Sequence, residues 1–195
     1  IIDEEKLNVL EARVIEPTIR GMRKEGMPFK GVLYAGLMMT KEGPKVLEYN
    51  VRFGDPEAQV VLPRLKNDII TLMLASIEER IDEIDLIADR RSCVCVVMTS
   101  GGYPGAYEKN KEITGLDYFE GDPDTIVFHA GTKKDGDKIL TDGGRVLGVM
   151  GYGDTIVFAM ENVYKKIENI KFEKSFFRRD IGAKALAHID VARRN

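Results

Sequence analysis

Between Asp82 and Arg91 the pattern of the chain changes, and this change constrains the fold more than any other feature. Before it, helical spacing dominates and is interrupted by one pair of strand-like segments. After it, short β-rich runs alternate with glycine-rich turns, and helical spacing returns only near the end. A helix-spaced pattern does not make a strand, or the reverse. We therefore expect two domains, 1–88 and 89–195.

In the first part, Asp3 is placed to cap a helix running to about Lys24, with Leu7, Leu10, Val14 and Met22 on or near one face. Pro17 inside it should kink the helix or divide it. Gly26-Met-Pro28 ends the helical region. Gly31 to Met39 reads as a buried strand, Lys41 to Pro44 as a turn and Lys45 to Asn50 as a second strand, together a hairpin. Pro56 to Pro63 suits a short helix. Asn67 or Asp68 then caps a longer one carrying Ile69, Leu72, Met73, Ile77 and Ile81.

In the second part, Cys93–Thr99, Thr125–Ala130, Lys138–Thr141 and Arg145–Tyr152 read as strands. Asp154 or Thr155 starts a helix to about Ile167, and Asp180 caps a last one to about Val191. Strands followed by helices predict an α+β unit with helices on one face of an antiparallel sheet.

Composition narrows the function classes. The 195 residues are 44% hydrophobic and 31% charged, ordinary for a folded globular chain. With 29 basic and 32 acidic residues and a net charge of -3, there is no basic field for nucleic acid and no cationic face for a membrane. No apolar run is long enough to span a bilayer. The start, Ile1-Ile-Asp-Glu-Glu-Lys6, lacks both a secretory pattern and an initiator Met, so the expectation is a piece of a longer parent chain. Cys93 and Cys95 would share a strand face, a poor arrangement for a mutual bridge or a zinc site, and are expected as small, buried, reduced core residues. That fits a cytoplasmic protein.

The densest chemistry lies in Leu47-Glu-Tyr-Asn-Val-Arg-Phe-Gly-Asp-Pro-Glu57. Two residues apart on a strand, Glu48 and Asn50 share a face. A carboxylate and an amide oxygen are hard ligands suited to magnesium, which completes its octahedron with water and phosphate. Arg52 and Asp55 add a fixed cation and a carboxylate in a Gly-Asp-Pro bend. The same residues also suit the solvated face of a hairpin followed by a turn, and spacing alone leaves both readings open.

The run Arg52–Glu57, with Gly31-Val-Leu-Tyr-Ala-Gly36 and Leu47-Glu-Tyr-Asn50 before it, resembles the signature of the phosphoribosylamine–glycine ligase family. The likeness continues in order through Gly101-Gly-Tyr-Pro-Gly105, Phe128-His-Ala-Gly-Thr132, Gly143-Gly-Arg-Val-Leu-Gly-Val149 and Phe177-Arg-Arg-Asp-Ile-Gly182. These are ATP-grasp enzymes of purine synthesis. The resemblance implies the C-terminal half of an ATP-grasp domain followed by a small antiparallel-sheet-plus-helices domain. It implies ATP-dependent joining of glycine to 5-phosphoribosylamine through glycyl phosphate.

It further implies Glu48 and Asn50 as Mg2+ or Mn2+ ligands, with Gly36 where many related enzymes carry another carboxylate. Leu47 would pack under the nucleotide, against the alternative of an ordinary core leucine. Arg52 would face the transferring phosphate or the glycine carboxylate, and Asp55 an amine of glycine or of phosphoribosylamine. Arg145, beside two glycines whose N–H groups suit a phosphate, would bind the ribonucleotide phosphate; the alternative is a surface arginine on a hairpin. Arg178 and Arg179 read better as a salt-bridged domain edge than as a phosphate anchor. His129 reads as a structural histidine, His188 has no partner by spacing, and Lys133-Lys134 reads as a solvated turn. Asn110 stands where the family would carry glycine.

The family's amine-binding domain and ATP-contacting lid have no counterpart in the motifs found, so activity is expected only with an N-terminal half. Another ATP-grasp carboxylate–amine ligase, or a non-catalytic domain binding nucleotide or a protein partner, are the competing readings.

Overall fold

The computed structural model describes residues 2–186, and it resolves the chain into two compact units. One holds the chain up to Ala58 together with Leu65–Ala88. The other holds Gln59–Arg64 and the chain from Asp89 onward. The segment 59–64 thus departs from the single cut expected after residue 88.

The first unit opens with α1 (Glu4–Leu10), a π-helical turn (Glu11–Ile15) and α2 (Glu16–Lys24). Asp3 caps α1 by accepting from the Lys6 amide at 2.9 Å. Pro17 lies in the first turn of α2, where its missing N–H costs least. The widened turn before it absorbs the mismatch, and Thr18 Oγ1 donates to the Val14 carbonyl at 2.6 Å. Pro17 therefore neither ends nor separates the helical run. Leu10 and Val14 are buried, whereas Leu7 is exposed.

The hairpin follows as β1 (Tyr34–Thr40) and β2 (Gly43–Asn50), antiparallel. The first strand starts three residues later than expected, and its far end is exposed rather than buried. Gly36 pairs with Glu48 but Leu37 pairs with Val46, so Leu47 is an inserted bulge residue. A short helix α3 (Ala58–Val61) and a 3-10 turn (Leu62–Arg64) come next.

Asp68, rather than Asn67, caps α4 (Ile69–Ile77) by accepting from the Thr71 amide. Asn67 instead ties down the later loop, donating to the Asp85 carbonyl and accepting from the Ile87 amide. The helix stops at Ile77, short of Ile81, because Glu79 turns to a φ of 59°.

The second unit is built on a four-stranded antiparallel sheet in the order β5 (Thr125–His129), β8 (Arg145–Gly153), β3 (Ser92–Thr99), β9 (Phe176–Phe177). A smaller sheet runs β4 (Glu112–Ile113), β7 (Lys138–Thr141), β6 (Thr132–Asp135). Thr155, rather than Asp154, caps α5 (Ile156–Ile167), which packs on β3 and β8. Val96, Met98, Val146, Leu147, Val149 and Val163 are completely buried in this core. Each fully buried Val or Leu side chain contributes about 1.5–3 kcal/mol of transfer free energy.

Strand alternation sends Val94, Val96 and Met98 inward. Cys93 and Cys95 fall on the other face, half-buried and unbridged, so they are not the core residues expected from sequence. Burial still raises the Cys93 thiol, to about 11. Lys133 and Lys134 lie in β6 rather than in a turn. The last expected helix is seen over 183–186, and the rest of its expected range, with His188, lies outside the described residues. Among the described residues no helix is long and apolar enough to cross a membrane.

Candidate metal and substrate edge

The hairpin register decides which groups meet. Tyr34 pairs with Asn50 and Gly36 with Glu48, so two neighbouring cross-strand pairs carry both candidate metal ligands. A Cβ on Gly36 would stand 3.0 Å from Glu48 Cγ and 3.7 Å from its Oε1. Glycine at 36 therefore leaves the Glu48 side chain its space. Leu47, the bulge residue, is 64% exposed, which excludes the ordinary core leucine.

Two residues that sequence reading left out join this face. The Tyr34 phenol has its pKa raised, first by burial, then by the charges of Glu57 and Glu48. Glu57 therefore lies near the hairpin as well as in its own bend. Strand pattern could have found Tyr34, two positions before Gly36 on the same face. Glu57 carried no such signal, because its approach depends on the bend.

The bend itself starts at Arg52, whose guanidinium is exposed and donates to the Phe53 carbonyl at 2.9 Å. Gly54 is buried and Asp55 exposed. The donor set on this edge fits a hard divalent ion: a carboxylate and an amide oxygen on one strand face, with a glycine across from the carboxylate. Among the described residues no group of three or more His, Cys, Asp or Glu side chains is gathered to hold a metal. Protein ligation through Glu48 and Asn50 would leave the remaining positions to water and phosphate.

Arg145 belongs to the other unit, at the exposed first position of β8. The glycines beside it serve close packing. A Cβ on Gly143 would stand 2.8 Å from Gly131 Cα, and one on Gly144 only 2.2 Å from the Tyr103 ring. Their carbonyls are held by Ser100, whose Oγ donates to Gly143 and whose amide donates to Gly144, each at 2.8 Å. The Gly-Gly pair is thus explained by packing, whatever Arg145 binds.

The remaining polar candidates have structural partners. Arg178 forms a two-bond pair with Asp180, Arg179 pairs with Glu168, and His129 Nδ1 lies 3.0 Å from Thr132 Oγ1. Asn110 takes a φ of 63°, the left-handed conformation that glycine adopts most easily and Asn tolerates.

Comparison with known proteins places these features. Residues 1–58 match the ATP-grasp (A) domain of phosphoribosylglycinamide synthetase, so the hairpin edge is that of an ATP-grasp protein. Residues 93–184 match the C domain of the same synthetase. The chain belongs to the phosphoribosylglycinamide synthetase family.

It is 48% identical to the phosphoribosylamine–glycine ligase of Caldanaerobacter subterraneus, over 93% of this chain and 43% of that protein. It is 45% identical to the trifunctional purine biosynthetic protein adenosine-3 of Gallus gallus, over 98% of this chain and 19% of that one. The crystal structure of phosphoribosylamine–glycine ligase from Thermotoga maritima is similar with a TM-score of 0.76 and 36% identity, covering 91% of this chain and 42% of that one. The chain thus spans less than half the length of these relatives.

Proposed function

We propose that this chain supplies the metal-side edge of the ATP-grasp site and the C domain of a phosphoribosylamine–glycine ligase. The carrying observation is the conjunction of two matches in register with one strand face that pairs Glu48 and Asn50 across from Gly36 and Tyr34.

In this reading the terminal phosphoryl group of ATP passes to the glycine carboxylate, giving glycyl phosphate and ADP. The amine nitrogen of 5-phosphoribosylamine then attacks the acyl carbon, phosphate departs and the nitrogen loses a proton, leaving glycinamide ribonucleotide. Positioning and charge neutralisation are the protein's main contributions. Glu48 and Asn50 would hold Mg2+ or Mn2+, which when bound neutralises phosphate oxygens.

Leu47, exposed beside them, offers an apolar surface to the nucleotide. Arg52 would meet the transferring phosphate or the glycine carboxylate, Asp55 an amine, and Arg145 the ribonucleotide phosphate. An N-terminal half would complete the enzyme, in the cytoplasm.

The test mixes this chain with a separately made N-terminal half and follows glycine-dependent ADP release. Persistent inactivity of two folded halves would sink the ligase reading. In the active mixture, Asp55→Asn should lower kcat about 100-fold with ATP binding kept. Glu48→Gln should weaken Mn2+ binding about tenfold or more, read from the free-ion spin resonance signal. Loss of phosphorylated-amine binding in Arg145→Ala, against an unchanged affinity, decides the role of that arginine.

A further inference from the structure

The Gly101–Gly105 turn plays no part in the chemistry above, yet within the sheet unit it lies against the turn that leads into Arg145. A Cβ on Gly144 would stand 2.2 Å from Tyr103 Cδ2 and 3.1 Å from Tyr107 Cε1, so two rings cover the residue before Arg145. The rings meet edge to face, with centroids 6.3 Å apart. The Ser100 amide holds the Gly144 carbonyl at 2.8 Å, and the Gly131 amide holds the Arg145 carbonyl at 2.9 Å. Both peptide carbonyls that flank the Arg145 Cα are therefore engaged.

The loop that carries the rings has its own anchors. Lys174 packs on Gly101, where a Cβ would stand 2.7 Å from the lysine Cβ, and Lys174 Nζ pairs with Glu108 at 3.0 Å. Lys111 Nζ joins Glu108 and Glu173, at 2.6 and 2.8 Å. Single exposed pairs are weak, but this network ties 108–111 to 173–174.

We infer that Tyr103 is a positioning residue: its ring, seated on Gly144 beside Tyr107, holds the turn into β8 and so sets the direction in which Arg145 leaves it. The role rests on the reading of Arg145 as the group that meets the ribonucleotide phosphate. The seating of the ring stands separately.

Two measurements read the two halves. In the 195-residue chain, amide exchange at Ser100 and Gly131 should quicken about tenfold in Tyr103→Ala, which removes the ring, and in Gly144→Ala, whose methyl displaces it. The Val96 and Val149 amides should not change, and Tyr103→Phe, which keeps the ring, should stay near wild type. In the chain completed by its N-terminal half, Tyr103→Ala should raise the KM for 5-phosphoribosylamine about tenfold with kcat and the KM for ATP kept, the mark of lost uniform binding. Placed on Arg145→Ala, the same substitution should add less than about twofold, since its effect passes through that side chain.

Unaltered exchange in both Tyr103→Ala and Gly144→Ala overturns the inference. An undiminished effect of Tyr103→Ala in the Arg145→Ala background overturns it too, as does faster exchange with unchanged KM when Arg145→Ala alone raises the KM. If the wild-type mixture releases no ADP, the ligase reading falls, and if Arg145→Ala leaves the KM unchanged, its phosphate role falls. In either case Ser100 exchange still decides whether Tyr103 holds the turn.

Discussion

In the sheet unit, Val96, Met98, Leu147 and Val149 are fully enclosed between strands and α5, whereas in the hairpin unit Met38, Met39, Leu47 and Val51 stand about half exposed or more. The sheet unit joins most of its buried hydrophobic residues into one continuous core. The hairpin unit buries Leu10 and Val14 on its first helices and Leu72 and Ala75 on α4, and leaves its strands open. Stability is thus concentrated where no metal ligand is proposed, and the candidate site is displayed on the less buried element. Sites that must admit ligands are commonly drawn from that end of the stability range.

The largest effect should come from the core. Leu147→Ala should lower unfolding free energy by about 2–5 kcal/mol, while Leu47→Ala in the bulge should stay within about 0.5 kcal/mol. Urea denaturation followed by circular dichroism measures both, and equal effects would break the contrast.

A mid-sized effect should come from the half-enclosed ion pair of the sheet unit, where Lys166 Nζ meets Asp122 at 2.5 Å and Thr125 Oγ1 at 2.9 Å. Burial works to raise the Asp122 pKa, but the Lys166 ammonium and the Asp124 amide outweigh it and hold it below the ordinary value. Because the folded pKa is the lower one, its stabilisation is complete above the unfolded value of about 4 and is lost as pH falls through the folded value. Asp122→Asn should cost about 2 kcal/mol at neutral pH, by leaving Lys166 without its counter-charge, and should flatten the acid limb of the stability curve. An unchanged acid limb would remove this pair from the comparison.

The smallest effect should be a gain. Asn110→Gly relieves the left-handed φ of 63° and should stabilise the sheet unit by about 0.5 kcal/mol, visible as a small rise in Tm. A loss would mean that the asparagine side chain contributes more than its backbone costs.

Much of this was legible in the residues. The hairpin, the Asp3 cap and the long strands of the sheet follow from spacing and turn chemistry, and the shared face of Glu48 and Asn50 follows from strand period. What escaped has physical causes. Two-residue strands such as Glu112–Ile113 and Phe176–Phe177 are too short to carry a period. Thr132–Asp135 is polar enough to pass for a turn. Helix α4 ends on a positive φ at Glu79, which its sequence does not announce.

At the site, Tyr34 and Glu57 were missed because their approach is set by cross-strand register and by a folded-back carboxylate. The cysteines were misplaced by one face, since an alternating strand hides either set with equal ease. The family itself was readable from ordered motifs, and the comparisons bear it out.

The bulge at Leu47 has a practical consequence. By taking up one residue between Gly36–Glu48 and Leu37–Val46, it separates the bookkeeping of the hairpin tip from that of its base. Residues could be grafted into the exposed tip at Lys41–Glu42, as a peptide tag or a fluorescent reporter, without resetting the Tyr34–Asn50 pairing below. The hairpin is therefore a handle as well as a site edge: a signal carried at its tip would report on what happens at its base.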